Sequence, residues 1–305
     1  MTAPDLTQQM FEGSRTALAR ILTKVENSSQ GADEVLRSLG NRVGKAVRIG
    51  FTGPPGAGKS SLVTAYTKLL RKQDKQVAIL AVDPTSPFSG GALLGDRVRM
   101  NAIGLDPGVF VRSLATRGDL GGLSQAAGDM ADVLDAAGFD YILFETVGVG
   151  QSELEVVQYA DSVVVVLVPE SGDAIQGMKA GLMEAADVFC VNKADREGAD
   201  RFTGDLQGAM MLKMWDDWKP PVVLTVATRE TGVPELAEQI EAHLAHLRTS
   251  GEFEKRRHAH ARRRIQRMLE KRLVAEFWTE EKARVMDEAL ARGESPYGVL
   301  GKLVK

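Results

Sequence analysis

The chain has 305 residues, of which 44% are hydrophobic and 26% charged, so it can hold one large α/β domain with additional segments. Its formal net charge of -3 gives no general reason to expect a nucleic-acid partner or an acidic membrane surface. The single cysteine, Cys190, excludes an internal disulfide framework, and the N-terminus lacks a secretory pattern, so we expect a cytoplasmic protein without membrane association.

The first predicted elements are helices without a strand between them. Residues from about 5 to 43 contain two helical patterns, TQQMFEGSRTALARILTKVEN and GADEVLRSLGNRV. We therefore expect an N-terminal helical bundle over residues 1–43.

A glycine-rich loop follows the first predicted strand. Ala46–Thr52 is a short apolar run typical of a buried strand, and Ser60–Leu70 has apolar residues at helical spacing. The stretch GPPGAGKSS between them fits the phosphate-binding pattern G-x-x-x-x-G-K-[ST]. The residues predicted to bind a nucleotide here are Gly53, Pro54, Pro55, Gly56, Ala57, Gly58, Lys59, Ser60 and Ser61.

The chemistry of this loop comes from its backbone and from two side chains. The glycines let successive N–H groups converge on a phosphate at the positive end of the following helix. Lys59 would bring positive charge to the β- and γ-phosphates, and the Ser60 hydroxyl is suited to Mg²⁺. An ordinary strand–turn–helix corner is the alternative, and the complete motif between correct flanking elements disfavours it.

Further short apolar segments alternate with predicted helices through the centre of the chain. The predicted strands are QVAILAVD, YILFET, SVVVVLVP, DVFCVNK and PPVVLTVA. Continuous rather than alternating apolarity indicates burial on both faces, as in a parallel sheet covered by helices. The predicted fold class is therefore α/β: a P-loop NTPase domain over residues 44–248, with a mostly parallel central sheet and with helical extensions at both ends.

In the C-terminal part, residues 249–305, the stretch Glu252–Arg292 is rich in charges of both signs. Apolar residues recur through it at helical spacing: Ile265, Met268, Leu269, Leu273 and Phe277. This pattern favours an amphipathic helix that packs on a partner or a second subunit, and a nucleic-acid-binding arm is the alternative. We expect a dimerisation arm and a homodimer.

The segment NKAD indicates which base is bound. An aspartate at position 195, after a strand, can accept hydrogen bonds from both N1–H and the 2-amino group of guanine, which adenine cannot supply. Asn192 and Lys193 can pack against the base and the phosphate loop, and Ala227 after the next strand is small enough to approach guanine O6. The sequence therefore favours GTP and GDP over adenine nucleotides, and a helix cap is the alternative role for Asn192 or Asp195.

Three acidic residues are candidates to join Ser60 at a magnesium site. Asp83 and Glu145 end predicted strands, and Asp96 follows a segment rich in Gly, Ser and Pro. Mg²⁺ takes few protein oxygens and completes its octahedron with phosphate and water. Each acid alone could instead be a turn or cap residue.

Five stretches in this order resemble the MeaB/MMAA-type GTPases: GPPGAGKSS, VDPTSPFSGGALLGDRVRM, ETVGVGQSE, ESGDAIQGMKAG and NKAD. Members of that family are P-loop G proteins that chaperone adenosylcobalamin-dependent methylmalonyl-CoA mutase. The resemblance is close over residues 38–247 and looser over the helical ends, which in that family include a C-terminal dimerisation arm.

The resemblance implies roles for particular residues. It implies magnesium ligation by Ser60 with Asp83, Asp96 and Glu145, and switch segments at about 83–100, 145–157 and 168–179. Lys179 resembles a family lysine that couples partner binding to hydrolysis, so Lys59, Glu145 and Lys179 are the predicted catalytic residues; from spacing alone, Lys179 would be a solvated helix residue.

Hydrolysis without a partner is expected to be slow. Small signalling GTPases place a water-orienting Gln directly after the D-x-x-G glycine. Here Val149 follows Gly148, and Gln151 comes two positions later. The partner expected to order the site is an adenosylcobalamin-dependent acyl-CoA mutase, and the sequence does not indicate which one.

Two other functions fit the early motifs. A nickel-insertion GTPase shares them, but such proteins usually carry His-rich or Cys-rich tracts, and this chain has 4 histidines and 1 cysteine. A P-loop small-molecule kinase is disfavoured by NKAD and by the lack of a visible acceptor-binding lid.

Overall fold

A seven-stranded parallel sheet forms the centre of the protein, in the order β3-β2-β4-β1-β5-β6-β7. The computed structural model describes residues 2–83, 103–115, 122–146, 158–171, 180–215 and 217–304. The strands are β1 Val47–Thr52, β2 Val77–Asp83, β3 Val109–Ala115, β4 Tyr141–Thr146, β5 Ser162–Leu167, β6 Val188–Asn192 and β7 Val222–Thr225.

Helices precede, flank and follow the sheet. They are α1 Ala3–Phe11, α2 Arg15–Glu26, α3 Ala32–Ser38, α4 Lys59–Arg71, α5 Gly122–Ala136, α6 Ala180–Ala185, α7 Ala199–Met211, α8 Val233–Ser250, α9 Glu252–Phe277, α10 Glu280–Ala291 and α11 Pro296–Leu303. Short 3-10 turns lie at Gly40–Arg42, Pro169–Ser171 and Ala227–Arg229. The predicted α/β class with a parallel sheet and terminal helical extensions is confirmed.

Burial on both faces explains why the strand sequences are continuously apolar. In β5, Val163 and Val165 belong to an apolar cluster that includes residues of α1–α3 and α5. Their neighbours Val164 and Val166 belong to the opposite cluster, which includes residues of α4 and α8. Since successive side chains of a strand point to opposite faces, each face of the sheet has its own core.

The N-terminal helices pack on one of these faces and along the edge of the sheet. Leu22 of α2 and Val35 of α3 share the cluster of Phe144 in β4. At the β3 edge, the Arg112 guanidinium donates to the Glu26 carboxylate of α2 at 2.5 Å. The helices of residues 1–43 thus contribute to the core of the sheet, and their treatment as a separate domain stays a proposal.

The chain divides into two compact units between Glu254 and Lys255. The first, Met1–Glu254, contains the sheet. The second, Lys255–Lys305, has a small core in which Ala289, Val299 and Leu303 are buried. No helix in the described ranges is both long enough and apolar enough to span a membrane.

Two elements were missing from the sequence prediction. Strand β3, VFVRSLA, was not expected because polar Arg112 and Ser113 interrupt its apolar run. The C-terminal stretch SPYGVLGKLVK contains helix α11, which begins with a Ser295 cap and a proline in its first turn. One of the helices that the sequence predicts between the central strands covers Ala174–Ala185. The structure describes it from Ala180 onward, and its first residues lie outside the described part of the chain.

A buried carboxylate anchors the entry of the chain into β1. Asp135 of α5 accepts hydrogen bonds from the amides of Gly44, Lys45 and Ala46 at 2.7, 3.1 and 2.9 Å. The Arg48 guanidinium lies 3.4 Å from the same carboxylate and 2.7 Å from that of Asp132. Asp135 therefore satisfies several donors at the point where the N-terminal segment joins the sheet.

Replacing Asp135 by Ala should lower the free energy of unfolding by about 3 kcal/mol, because it removes the carboxylate that accepts from the buried Ala46 amide, from two part-buried amides and from Arg48. Asp132→Ala, which removes a more exposed partner of Arg48, should cost about 1 kcal/mol or less. Urea unfolding followed by circular dichroism measures both. Equal losses in the two variants would contradict the anchoring role of Asp135.

Candidate functional site

Residues 53–58 connect β1 to α4 in a conformation that depends on glycine. Gly53 and Gly58 have φ of +137° and +85°. A Cβ at Gly53 would lie 2.1 Å from the Val166 carbonyl oxygen, and one at Gly58 would lie 2.4 Å from Nδ2 of Asn192. The loop is thus held tightly against the ends of β5 and β6, and only glycine fits at these two points.

Lys59, the first residue of α4, is buried under the loop that precedes it. Its Nζ donates to the carbonyl oxygens of Gly53 and Pro54 at 2.7 and 2.9 Å. The amides of the first turn of α4 lie beside it, at the positive end of the helix. An ammonium group and a helix N-terminus are together a favourable environment for phosphate.

Ser60 meets the end of β4. Its hydroxyl donates to Oε1 of Glu145 at 2.5 Å, and both residues are buried. Glu145 reaches this position because β4 pairs with β1, with Glu145 opposite Phe51. Beside them, the Thr146 hydroxyl donates to that of Thr52 at 3.2 Å. A serine hydroxyl and a carboxylate at this distance are oxygen donors of the kind that a hard divalent cation prefers, so these residues fit Mg²⁺.

The other predicted metal and catalytic residues are less fully described. Asp83 is the last residue of β2, which pairs with β4 so that Val82 lies opposite Thr146. The backbone therefore brings Asp83 to the carboxyl end of the sheet, where Glu145 also lies. Asp96 and Lys179 lie outside the described residues.

The Asn192 side chain connects the phosphate loop to the strands β6 and β7. Its Nδ2 donates to the Ala57 carbonyl at 2.8 Å. Its Oδ1 accepts from the Thr225 hydroxyl at 3.2 Å and from the amide of Ala227 at 3.1 Å. The sequence pattern suggested contact with the loop, and the structure adds the link to β7.

Lys193 and Asp195 follow Asn192 at the carboxyl end of β6 and are closer to the surface. Lys193 has a φ of +57°, and its Nζ donates to the Gly56 carbonyl at 2.8 Å. The Asp195 side chain is exposed and forms an ion pair with Arg229, with 3.5 Å between Oδ2 and Nη2. Ala227, two residues before Arg229, is buried. The structure thus brings the four predicted base-side residues together at one end of the sheet.

Two ion pairs in this region were not expected from the sequence. One joins Asp195 to Arg229, and the other joins Arg196 to Glu170, which follows β5. The Arg196 side chain holds the pKa of the Glu170 carboxyl below its usual range. The sequence offered only the presence of arginines close to NKAD and to Ala227, which does not identify their partners.

Cys190 occupies the buried position in β6 that the sequence predicted. Its thiol lies 3.2 Å from the Thr225 hydroxyl, and burial raises its pKa to about 12. A thiol this buried and this weakly acidic is not a nucleophile at neutral pH. Cys190 therefore has a packing role behind the base-side loop.

Comparison with known proteins identifies relatives that cover most of the chain. The profile of the family described as "Methylmalonyl Co-A mutase-associated GTPase MeaB" matches residues 18–282. A Pyrococcus abyssi protein described as a GTPase is 51% identical over 257 residues, which are 83% of this chain and 79% of the relative. The mouse protein "Methylmalonic aciduria type A homolog, mitochondrial" is 32% identical over 294 residues, which are 90% of this chain and 71% of the relative.

A solved structure has a similar fold. The crystal structure titled "LAO/AO transport system kinase" superposes with a TM-score of 0.75 at 26% identity, over 99% of this chain and 96% of that one. The family profile covers the phosphate loop, Glu145 and the NKAD segment, and the relatives agree with it. The chain therefore belongs to the MeaB family of methylmalonyl-CoA mutase-associated GTPases.

Proposed function

We propose that this GTPase gates the loading of adenosylcobalamin into a B12-dependent acyl-CoA mutase and protects that enzyme. The observation that carries the proposal is the family assignment itself, since the family is described by its association with methylmalonyl-CoA mutase. The name of the mouse relative, which refers to methylmalonic aciduria, supports the same metabolic context. Methylmalonyl-CoA mutase or a close relative is the proposed partner.

The phosphate side of the proposed mechanism rests on Lys59 and Ser60. GTP bound at the loop would accept hydrogen bonds from the backbone amides of residues 56–61, and the Lys59 ammonium would exchange its carbonyl partners for phosphate oxygens. Ser60 and Glu145, with Asp83 and Asp96, would hold Mg²⁺, which supplies positive charge to the β- and γ-phosphates. Positioning and charge neutralisation are the main contributions that phosphoryl transfer requires.

The base side of the proposed mechanism rests on Asp195. Its carboxylate would accept from N1–H and from the 2-amino group of guanine, while Ala227 leaves room for O6. Asn192 and Lys193 donate to the carbonyls of Ala57 and Gly56, so the base-side segment is fixed relative to the phosphate loop. This connection supports GTP and GDP as the nucleotides, because base and phosphate must be bound at a set separation.

Slow hydrolysis that a partner accelerates is the proposed mode of regulation. It is supported by Val149, which stands where small signalling GTPases have a water-orienting Gln. In this proposal the mutase orders the catalytic groups, with Lys179 contributing. Binding linkage is reciprocal, so the nucleotide state would in turn change how readily the mutase accepts its cofactor.

The C-terminal unit is proposed to form a homodimer. Its helices and the residues next to them expose a set of large apolar side chains: Ile265, Met268, Leu269, Leu273, Val274, Trp278, Leu290, Tyr297, Leu300 and Val304. Four of them, Ile265, Met268, Leu269 and Leu273 of α9, belong to the face that the sequence predicted, whereas Phe277, its fifth residue, packs on the small core of the second unit. Burying such a face against a second copy would remove apolar area from water and stabilise the pair.

Replacing Lys59 by Ala should raise the dissociation constant for GTP by about a hundredfold or more, since contacts to charged groups contribute about 1.5–3 kcal/mol each. Isothermal titration calorimetry measures the change. Lys45→Ala, at an exposed lysine outside the loop, is the matched control and should bind as the wild type does. Unchanged GTP affinity in Lys59→Ala would refute the role proposed for the lysine.

Replacing Leu269 and Leu273 together by Glu should convert a dimer into monomers, because it puts charge on the proposed apolar interface. Lys271→Glu, on the same helix, makes the same change in net charge without removing an apolar contact and should remain dimeric. Light scattering of the full chain distinguishes the two results. A wild type that is monomeric at micromolar concentration would rule out the dimer.

Adding a cognate apo-mutase should raise the rate of GTP turnover, and Lys179→Ala should reduce the stimulated rate far more than the basal rate. A phosphate-release assay with and without the mutase measures both rates, with Lys45→Ala as the control. The mutase role fails if no adenosylcobalamin-dependent mutase of the same genome binds the protein or changes its rate.

A further inference from the structure

The 3-10 turn Ala227–Arg229 lies between β7 and α8, and hydrogen bonds of backbone amides hold it in place. The amide of Val226 donates to the Thr231 carbonyl at 3.0 Å, which closes an antiparallel bridge across the turn. The amide of Ala227 donates to Oδ1 of Asn192 at 3.1 Å. These bonds fix the position from which the next side chains extend.

Arg229 and Glu230, two adjacent residues of opposite charge at this turn, form ion pairs with different partners. Glu230 accepts from Lys68 of α4 at 2.9 Å and lies 3.7 Å from Lys72, the residue that follows this helix. The hydrogen bond from Lys68 holds the pKa of the Glu230 carboxyl below its usual range. Arg229 lies 3.5 Å from the carboxylate of Asp195. The turn thus connects the helix of the phosphate loop to the base-side carboxylate.

We propose that Arg229 is a positioning residue for guanine recognition, acting through Asp195. The inference rests on the proposed function, in which Asp195 binds the base. The Asp195 side chain is 36% exposed, so its carboxylate is accessible to a base, and the ion pair with Arg229 favours one orientation of that carboxylate. Each carboxylate oxygen has two acceptor sites, and an arginine on Oδ2 leaves the others for N1–H and the 2-amino group.

Arg229 is better placed for this role than the neighbouring arginine. Arg196 directly follows Asp195 in sequence, but its guanidinium pairs with Glu170. Arg229 instead extends from a turn whose backbone is hydrogen-bonded to Asn192. The Arg229 backbone is therefore fixed relative to the NKAD segment. Orientation of Asp195 matters most for a base that uses both carboxylate oxygens, and guanine is such a base.

The test compares GDP with inosine diphosphate, which lacks the 2-amino group. Arg229→Ala should weaken GDP binding by about two- to fivefold, the range expected for one exposed ion pair. Inosine diphosphate should lose less affinity, so the ratio of the two dissociation constants should move toward one. Arg229→Lys should restore part of the ratio, and Arg20→Ala, at an exposed arginine of α2, should leave it unchanged. Calorimetric titration provides all of these constants.

Two results would overturn the inference while leaving the proposed base recognition in place. They are an unchanged ratio in Arg229→Ala, and equal losses for GDP and inosine diphosphate, which would show a general effect of charge or folding. Failure of the proposed recognition would be seen separately, in a wild type that does not prefer GDP to inosine diphosphate. It would also be seen in an Asp195→Asn variant that gains no affinity for xanthosine diphosphate, whose base presents an acceptor in place of the 2-amino donor.

Discussion

The geometry of the nucleotide site depends on the hydrogen bonds of the Asn192 carboxamide. It joins the phosphate loop at Ala57 to the end of β7 at Thr225 and Ala227. The same side chain comes so close to Gly58 that no other residue fits there. Because its donor and acceptor are both used inside the protein, shortening or exchanging this side chain would leave buried polar groups unsatisfied. Loop position and base-side position are therefore set by one residue.

The opposite end of the sheet also carries a buried polar cluster, but a structural one. His243 lies 3.0 Å from the Ser162 hydroxyl and 3.2 Å from the Asp187 carboxylate. The indole of Trp218 donates to the Asp187 carbonyl at 2.8 Å. These residue types resemble a hydrolytic triad, yet Ser162 is fully buried and a substrate cannot reach it. Parallel strands bind ligands at their carboxyl ends, and this cluster instead joins α8 to the amino ends of β5 and β6.

Much of the fold and of the site could be predicted from local sequence patterns. Features that depend on contacts between distant residues could not. The phosphate loop and NKAD are contiguous motifs between apolar strands, so their residues could be assigned from sequence. Strand β3 was missed because Arg112 belongs to an edge strand and pairs with Glu26, 86 positions earlier. Helix α11 was missed because its glycines disfavour a helix, which is stabilised by packing of Val299 and Leu303 in the core of the second unit. The partner of Asp195 depends on the geometry of a turn that no local pattern reveals.

Strand order separates the two tasks proposed for the site. β1 lies centrally and supplies the loop. On one side, Glu145 and Asp83 lie at the carboxyl ends of β4 and β2, and on the other side β5, β6 and β7 lead to the base-side residues. The base-side half is cross-linked to α4 and to the loop by Asn192, Lys193 and Glu230. Base binding should therefore require little rearrangement, and it would position the phosphates against Lys59 and Ser60 in either nucleotide state. The γ-phosphate, which distinguishes GTP from GDP, would approach the proposed magnesium ligands Asp83 and Glu145 on the other side of β1, at the carboxyl ends of β2 and β4. An arrangement of this kind suits a protein that stays bound to guanine nucleotide while a partner responds to the γ-phosphate.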